Sequence, residues 1–231
     1  SAASDVYKRQ RLTFMERLVS AMAEMNDSFN EVTAEMLKVI SDYDSVTGFQ
    51  GAYNIRQDSM CAGRKNSENI TIESKTDKPG INIRVKPGTK GETVYIPACV
   101  THSNVDDLVY NDFFIGEGAD VTIVAGCGVH SDGSETARHN GIHRFFLEKG
   151  AKVLYKEKHI GTGKGTGLRR IDPVTDAYLK EDSYLEMDTV QLRGVDRTTR
   201  STSAVLEKGA KIVVRERIMT DGDEDAVTKF K

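Results

Sequence analysis

Glu148-Lys149-Gly150-Ala151-Lys152-Val153 returns further on as Glu207-Lys208-Gly209-Ala210-Lys211-Ile212, and a shorter form, Gly118-Ala119-Asp120-Val121, precedes both. Each copy is a glycine turn running into a β-branched residue, which is how a tight turn hands over to a strand. Gly118 and Gly150 are 32 residues apart, Gly150 and Gly209 are 59 apart, and the second interval is nearly twice the first. A period near ~30 residues with short strands and no helical spacing predicts the stacked coils of a β-solenoid. A β-sandwich also uses short strands and turns, and strand content alone does not separate the two. In the solenoid reading Val121, Val153 and Ile212 face the core.

Working outward, the same texture continues in both directions. Asn69-Ile70-Thr71-Ile72, Ile81-Asn82-Ile83-Arg84-Val85, Thr93-Val94-Tyr95-Ile96 and Val121-Thr122-Ile123-Val124 are strand-like runs. Pro79-Gly80, Pro87-Gly88 and Gly116-Glu117-Gly118 punctuate them. Residues 46–231 therefore read as one β core. The chain stops at Lys231 in what reads as an unfinished strand, so the core is expected to be incomplete there, with an open final coil near Phe230. Residues 11–45 differ. Leu12, Met15, Val19, Met22 and Met25 fall on one helical stripe. After Asn26-Asp27, Ser28-Phe29-Asn30-Glu31 has the form of a capping box for a second helix, with Val32, Met36, Val39 and Ile40 as its apolar face. Packing on the chain's own body is the expected role of these methionine-rich faces. Residues 1–10, SAASDVYKRQ, read as a translated sequencing adapter, so the native start is undefined and targeting signals cannot be judged there.

Bulk properties narrow the function. The 231 residues carry a formal net charge of −3, which gives no electrostatic case for nucleic acid or an anionic membrane as main partner. No apolar run approaches the length of a bilayer span. Three cysteines do not make a disulfide framework and fit a reducing cytoplasm. The absence of tryptophan, with 7% aromatic residues, weakens a sugar-binding reading.

The densest chemistry lies between Cys127 and His143: Cys127-Gly-Val-His130, then His139-Asn-Gly-Ile-His143. Thiolate and imidazole are donors suited to iron or zinc, and two close pairs supply four of them. Histidines that merely hydrogen-bond a turn are the plainer alternative. Glu157-Lys158-His159 follows about one coil later, so His159 joins the candidate metal ligands if coils stack. An exposed charged strand is the alternative there. Cys61 and Cys99 lie outside any close Cys/His pair and read as structural. Gly161-Thr-Gly-Lys-Gly-Thr-Gly167 lacks the strand–Gly-Lys-Ser/Thr–helix form of a phosphate loop and reads as a flexible surface loop, leaving any ATP hydrolysis to another chain.

Gly51-Ala52-Tyr53-Asn54-Ile55-Arg56, Gly126-Cys127-Gly128-Val129-His130, His139-Asn140-Gly141-Ile142-His143, Glu157-Lys158-His159 and the Gly-rich loop, in that order, resemble the SufB/SufD family of iron–sulfur cluster assembly scaffolds. The resemblance runs from roughly Gly51 to the end. It implies a right-handed parallel β-helix and a non-enzymatic scaffold holding a transient iron–sulfur cluster. It also implies a SufC-type ABC ATPase partner, a SufB/SufD-type dimer partner or a second copy, sulfide and iron donors, and apo-protein clients. The family's cluster-linked cysteine and its ATPase-docking surface lie toward the C-terminus and map onto no residue here. Cys127, His130, His139, His143 and His159 are metal candidates on ligand chemistry alone. A structural or polysaccharide-acting β-solenoid without a metal role is the competing expectation.

Overall fold

The computed structural model describes residues 29–44 and 47–231. The chain divides into two compact units, residues 1–30 and 31–231. Of the first, Phe29 and Asn30 alone are described, so the helix expected over residues 12–25 and the Ser28 cap lie outside the described residues. In the second unit one helix, α1 (Glu31–Ile40), precedes the strands. Its buried face is Thr33, Met36, Leu37 and Ile40, whereas Val39 is exposed, a rotation of the stripe expected from sequence.

Two antiparallel hairpins open the β core: β1 (Ala52–Gln57) with β2 (Met60–Lys65), and β3 (Ile70–Ser74) with β4 (Gly80–Val85). Then come β5 (Lys90–Val100), β6 (Asp106–Ile115), β7 (Asp120–His130), β8 (Ala137–Leu147) and β9 (Lys152–Thr162). They are followed by β10 (Arg169–Ile171), β11 (Val174–Leu179), β12 (Tyr184–Gln191), β13 (Arg197–Leu206), β14 (Lys211–Ile218) and β15 (Asp225–Phe230). After the hairpins the strands alternate between two sheets, except that β10 and β11 share one. One runs β14-β12-β9-β7-β5-β1-β2; the other runs β10-β13-β11-β8-β6-β4-β3, with β15 on β13. From β5 onward every ladder is parallel. The chain is a β-solenoid of about five turns, as the repeat spacing predicts.

The repeated turn is the stacking device. Gly118, Gly150 and Gly209 hold φ of 63°, 64° and 72°, the left-handed region open to glycine. Ala119, Ala151 and Ala210 each donate a backbone hydrogen bond three residues back. The 59-residue gap conceals another copy, Asp182-Ser183-Tyr184-Leu185, in which Asp182 takes φ 57° in glycine's place. The backbone N–H of Gly118 donates to Lys149, that of Gly150 to Glu181, and that of Asp182 to Lys208, so each turn is bonded to the next. Val121, Val153 and Leu185 stand in one in-register column and are buried. Ile212, the next member, packs on the core from the sheet's outermost strand and is half-buried.

The interior has three zones. Next to the repeated turns lies a large apolar cluster, in which Val94, Ile123, Tyr155, Met187 and Val214 stack from one sheet and Ile83, Phe113, Phe145, Ala177 and Ala204 from the other. Phe113 and Phe145 lie face to face with centroids 4.5 Å apart. At the opposite edge is a smaller apolar cluster around Val100, Val129, Ala137, Ile171 and Val195. Between them runs a band of polar side chains.

Candidate functional site

The band follows from strand phase. In β9, Val153, Tyr155, Glu157 and His159 alternate onto one face, so Glu157 and His159 point inward with the tyrosine, while Lys158 points out to Asp42 at 2.7 Å. In β7 the same phase carries Val121, Ile123, Ala125 and Cys127. Parallel pairing sets Cys127 against His159, then Gln191, and Ala125 against Glu157, then Thr189 and Glu216. From the facing sheet come Asn111, His143, Thr175 and Thr202 in another column. β13 adds Arg200, which is 3% exposed.

Cys127, Glu157 and His159 converge, with one potential ligand atom of each within 4.8 Å of the others. Both Glu157 oxygens are engaged. Oε1 accepts from the Tyr155 hydroxyl at 2.9 Å; Oε2 accepts from Arg200 Nη1 at 2.9 Å and the Thr189 hydroxyl at 3.4 Å. Arg200 also meets Glu216 at 3.1 Å and lies between the two carboxylates. Arg200 Nη2 sits 3.3 Å from His159 Nδ1. A guanidinium can only donate, so Nδ1 accepts and the ring proton sits on Nε2. That nitrogen stands 3.3 Å from Glu157 Oε1 but off the line a hydrogen bond needs, and it has no hydrogen-bond partner.

The electrostatics are those of charges taken out of water. Burial alone would raise the Glu157 carboxyl, but His159 and Arg200 outweigh it and hold it well below its ordinary value. Burial, reinforced by the Glu157 charge, pushes the Cys127 thiol well up. Burial drives His143 down to about 4 and lowers His159, against the pull of Glu157. At neutral pH the cluster therefore holds an ionised carboxylate, a guanidinium, neutral imidazoles and a protonated thiol.

The other candidates distribute unevenly. His143 is 4% exposed with Nδ1 unpartnered, and it shares a cavity lining with Cys127 and His139. His139 Nδ1 meets Asp107 at 3.0 Å, and Arg56 grips the same carboxylate with Nε at 2.9 Å and Nη2 at 2.6 Å. His130 is half-buried and bonds the Thr162 hydroxyl at 3.0 Å, outside the Cys127–Glu157–His159 group. Cys61 is exposed on the β1–β2 hairpin and Cys99 is buried. The glycines flanking Cys127 serve the helix. A Cβ on Gly126 would strike Ile40, and one on Gly128 would strike Met36, so α1 lies on the outer side of the strand whose inner side carries Cys127. Gly161–Gly167, expected as a flexible loop, is instead laid on the previous coil. Gly165 and Gly167 donate to Ser131 and Gly133 at 2.9 Å, and a Cβ at Gly163, Gly165 or Gly167 would meet that backbone.

The donor set of thiol, imidazole and carboxylate fits a borderline cation, with Arg200 standing as the positive charge beside it. Among the described residues no helix is long and apolar enough to cross a membrane. No family model and no solved structure matches the chain. Over 89 residues it is 32% identical to an iron–sulfur cluster assembly SufBD family protein of Methanothermobacter thermautotrophicus (strain Winter), and 30% identical to another from strain Delta H of that organism. Each alignment covers 38% of this chain and 21% of the relative. The likeness is a weak homology to the SufB/SufD family, and the chain spans about a fifth of those relatives' length.

Proposed function

We propose that the protein is a scaffold subunit for iron–sulfur cluster assembly, with iron and sulfide as cargo. The convergence of Cys127, Glu157 and His159 in the solenoid interior carries this reading. A purely structural solenoid needs no buried charges, which are costly to desolvate. Cys127 supplies a soft donor once deprotonated, His159 an imidazole, and Glu157 a carboxylate whose charge Arg200 otherwise balances. An arriving cation lowers the thiol's affinity for its proton, so loading releases protons and weakens as pH falls. His139 and His143 line a cavity that ends at Cys127; His130 stands apart. In this reading the chain has no turnover of its own and works in the cytoplasm. It assembles with a SufC-type ABC ATPase and with a SufB/SufD-type partner or a second copy, and hands clusters to apo-proteins.

Anaerobic reconstitution of the full chain with iron and sulfide, followed by iron and acid-labile sulfide analysis, tests it. The wild-type chain should retain both, and Cys127→Ser and His159→Gln should lose most of both while keeping their circular dichroism. Equal retention by folded variants would overturn the assignment. Co-purification with a SufC-type ATPase tests the partner separately.

A further inference from the structure

A cavity of about 240 Å³ opens between the two N-terminal hairpins and ends at Cys127, His139 and His143. Arg56, Arg64, Lys75 and Lys78 line it, and among its described lining residues there is no carboxylate. Two carboxylates stand behind the wall. Asp107 holds Arg56, and Asp112 is shared between Lys75 at 2.6 Å and Arg144 at 2.5 Å. Arg64 meets neutral acceptors instead, donating from Nε to Asn54 Oδ1 at 2.8 Å and from Nη1 to the Ser74 hydroxyl at 3.0 Å. Lys78 faces an exposed Asp77 at 3.7 Å and the Tyr110 ring at 4.7 Å. The lining thus carries more positive charge than its surroundings cancel. Deeper in, His143 Nδ1 and Asn111 Oδ1 are buried without a hydrogen-bond partner, the state of groups that await a ligand or water.

We propose that this cavity binds a small oxoanion, a phosphate or a short carboxylate. Guanidinium and ammonium donors beside the hydroxyls of Ser59 and Ser74 match oxygen acceptors in charge and geometry. The positive mouth disfavours a bare divalent cation, so the cavity is an anion site and not the route by which a metal would reach Cys127. The inference does not depend on cluster assembly, since anion binding is measurable in the metal-free chain.

Cys61 lines the cavity and is exposed, whereas Cys99 and Cys127 are buried, so its alkylation reports occupancy. Iodoacetamide modification of the full chain is followed by peptide mass spectrometry in phosphate, in citrate and in chloride at matched ionic strength. Phosphate or citrate should slow Cys61 modification saturably, by about tenfold at ten times its Kd, and chloride should not. The two oxoanion arms distinguish phosphate from carboxylate ligands. Arg64→Gln/Lys78→Gln should abolish protection with Tm unchanged, and if that pair unfolds, Lys78→Gln alone carries the comparison. Equal protection by chloride, none by either oxoanion, or full protection of the folded variant would overturn the proposal.

Discussion

The large apolar cluster and the polar band share one interior, one set of strands and one coil period, yet they are held together by different physics. In the cluster, Phe113, Phe145 and Tyr155 contribute by area and shape, with Tyr155 meeting Phe145 edge-on at 5.2 Å. Such contacts are many and individually replaceable. In the band, Arg200, Glu157, Glu216 and His159 contribute through a few charge-matched contacts, and each member makes its neighbour affordable. Removing a methylene from the first leaves a small void. Removing a charge from the second leaves its partner buried and unmatched, which costs more than the pair ever contributed.

The largest expected effect is therefore at Arg200. Arg200→Met should cost about 3–5 kcal/mol in denaturant unfolding, because Glu157 and Glu216 lose their cation. Adding Glu157→Gln should recover a large part of it; a loss under about 1 kcal/mol for the single variant would mean the band is not a coupled network.

A smaller effect comes with pH. Burial drives His143 to about 4 in the fold against about 6.5 when unfolded, so well above pH 6.5 it is neutral in both states and adds no pH dependence. As pH falls from 6.5 toward 4 the unfolded chain gains the proton first and stability drops, by ~2 kcal/mol at pH 5. Glu157, held low, sharpens the loss at more acid pH. Tm measured between pH 7 and 5 should fall in the wild-type chain and less steeply in His143→Gln, the remaining slope coming from His159, which burial also lowers; parallel profiles would remove His143 from the account.

The smallest effect belongs to the apolar cluster. Ile123→Val should cost about 1 kcal/mol, independent of pH over the same range. A pH-dependent cost there would dissolve the distinction between the two zones.

The solenoid was legible because Gly118, Gly150 and Gly209 advertise a left-handed turn that few other residues accept. The copy at Asp182 was hidden because aspartate reaches the same φ without the glycine signature. The Cys127/His cluster was legible as unusual composition, but composition does not say which way a side chain points. His130 falls one residue after inward-facing Val129 and so leaves the interior. His159 was legible as a partner of Cys127 once coils stack, and the two pair across coils; Glu157, which shares the inward phase of Val153 and Tyr155, was not read as a ligand. Arg200 gave no signal: in Arg197-Thr-Thr-Arg-Ser-Thr the inward positions are polar, and nothing local marks them as buried. Its role exists through a coil-to-coil contact 43 residues away in sequence.

The helix seated on Gly126 and Gly128 makes β7 a thin partition with a tenant on each side. Along such a strand, neighbouring residues project to opposite sides, so Ile40 and Met36 press on the backbone atoms that immediately flank the Cys127 Cα. Whatever covers α1 from outside is thereby separated from the buried thiol by the thickness of a single strand.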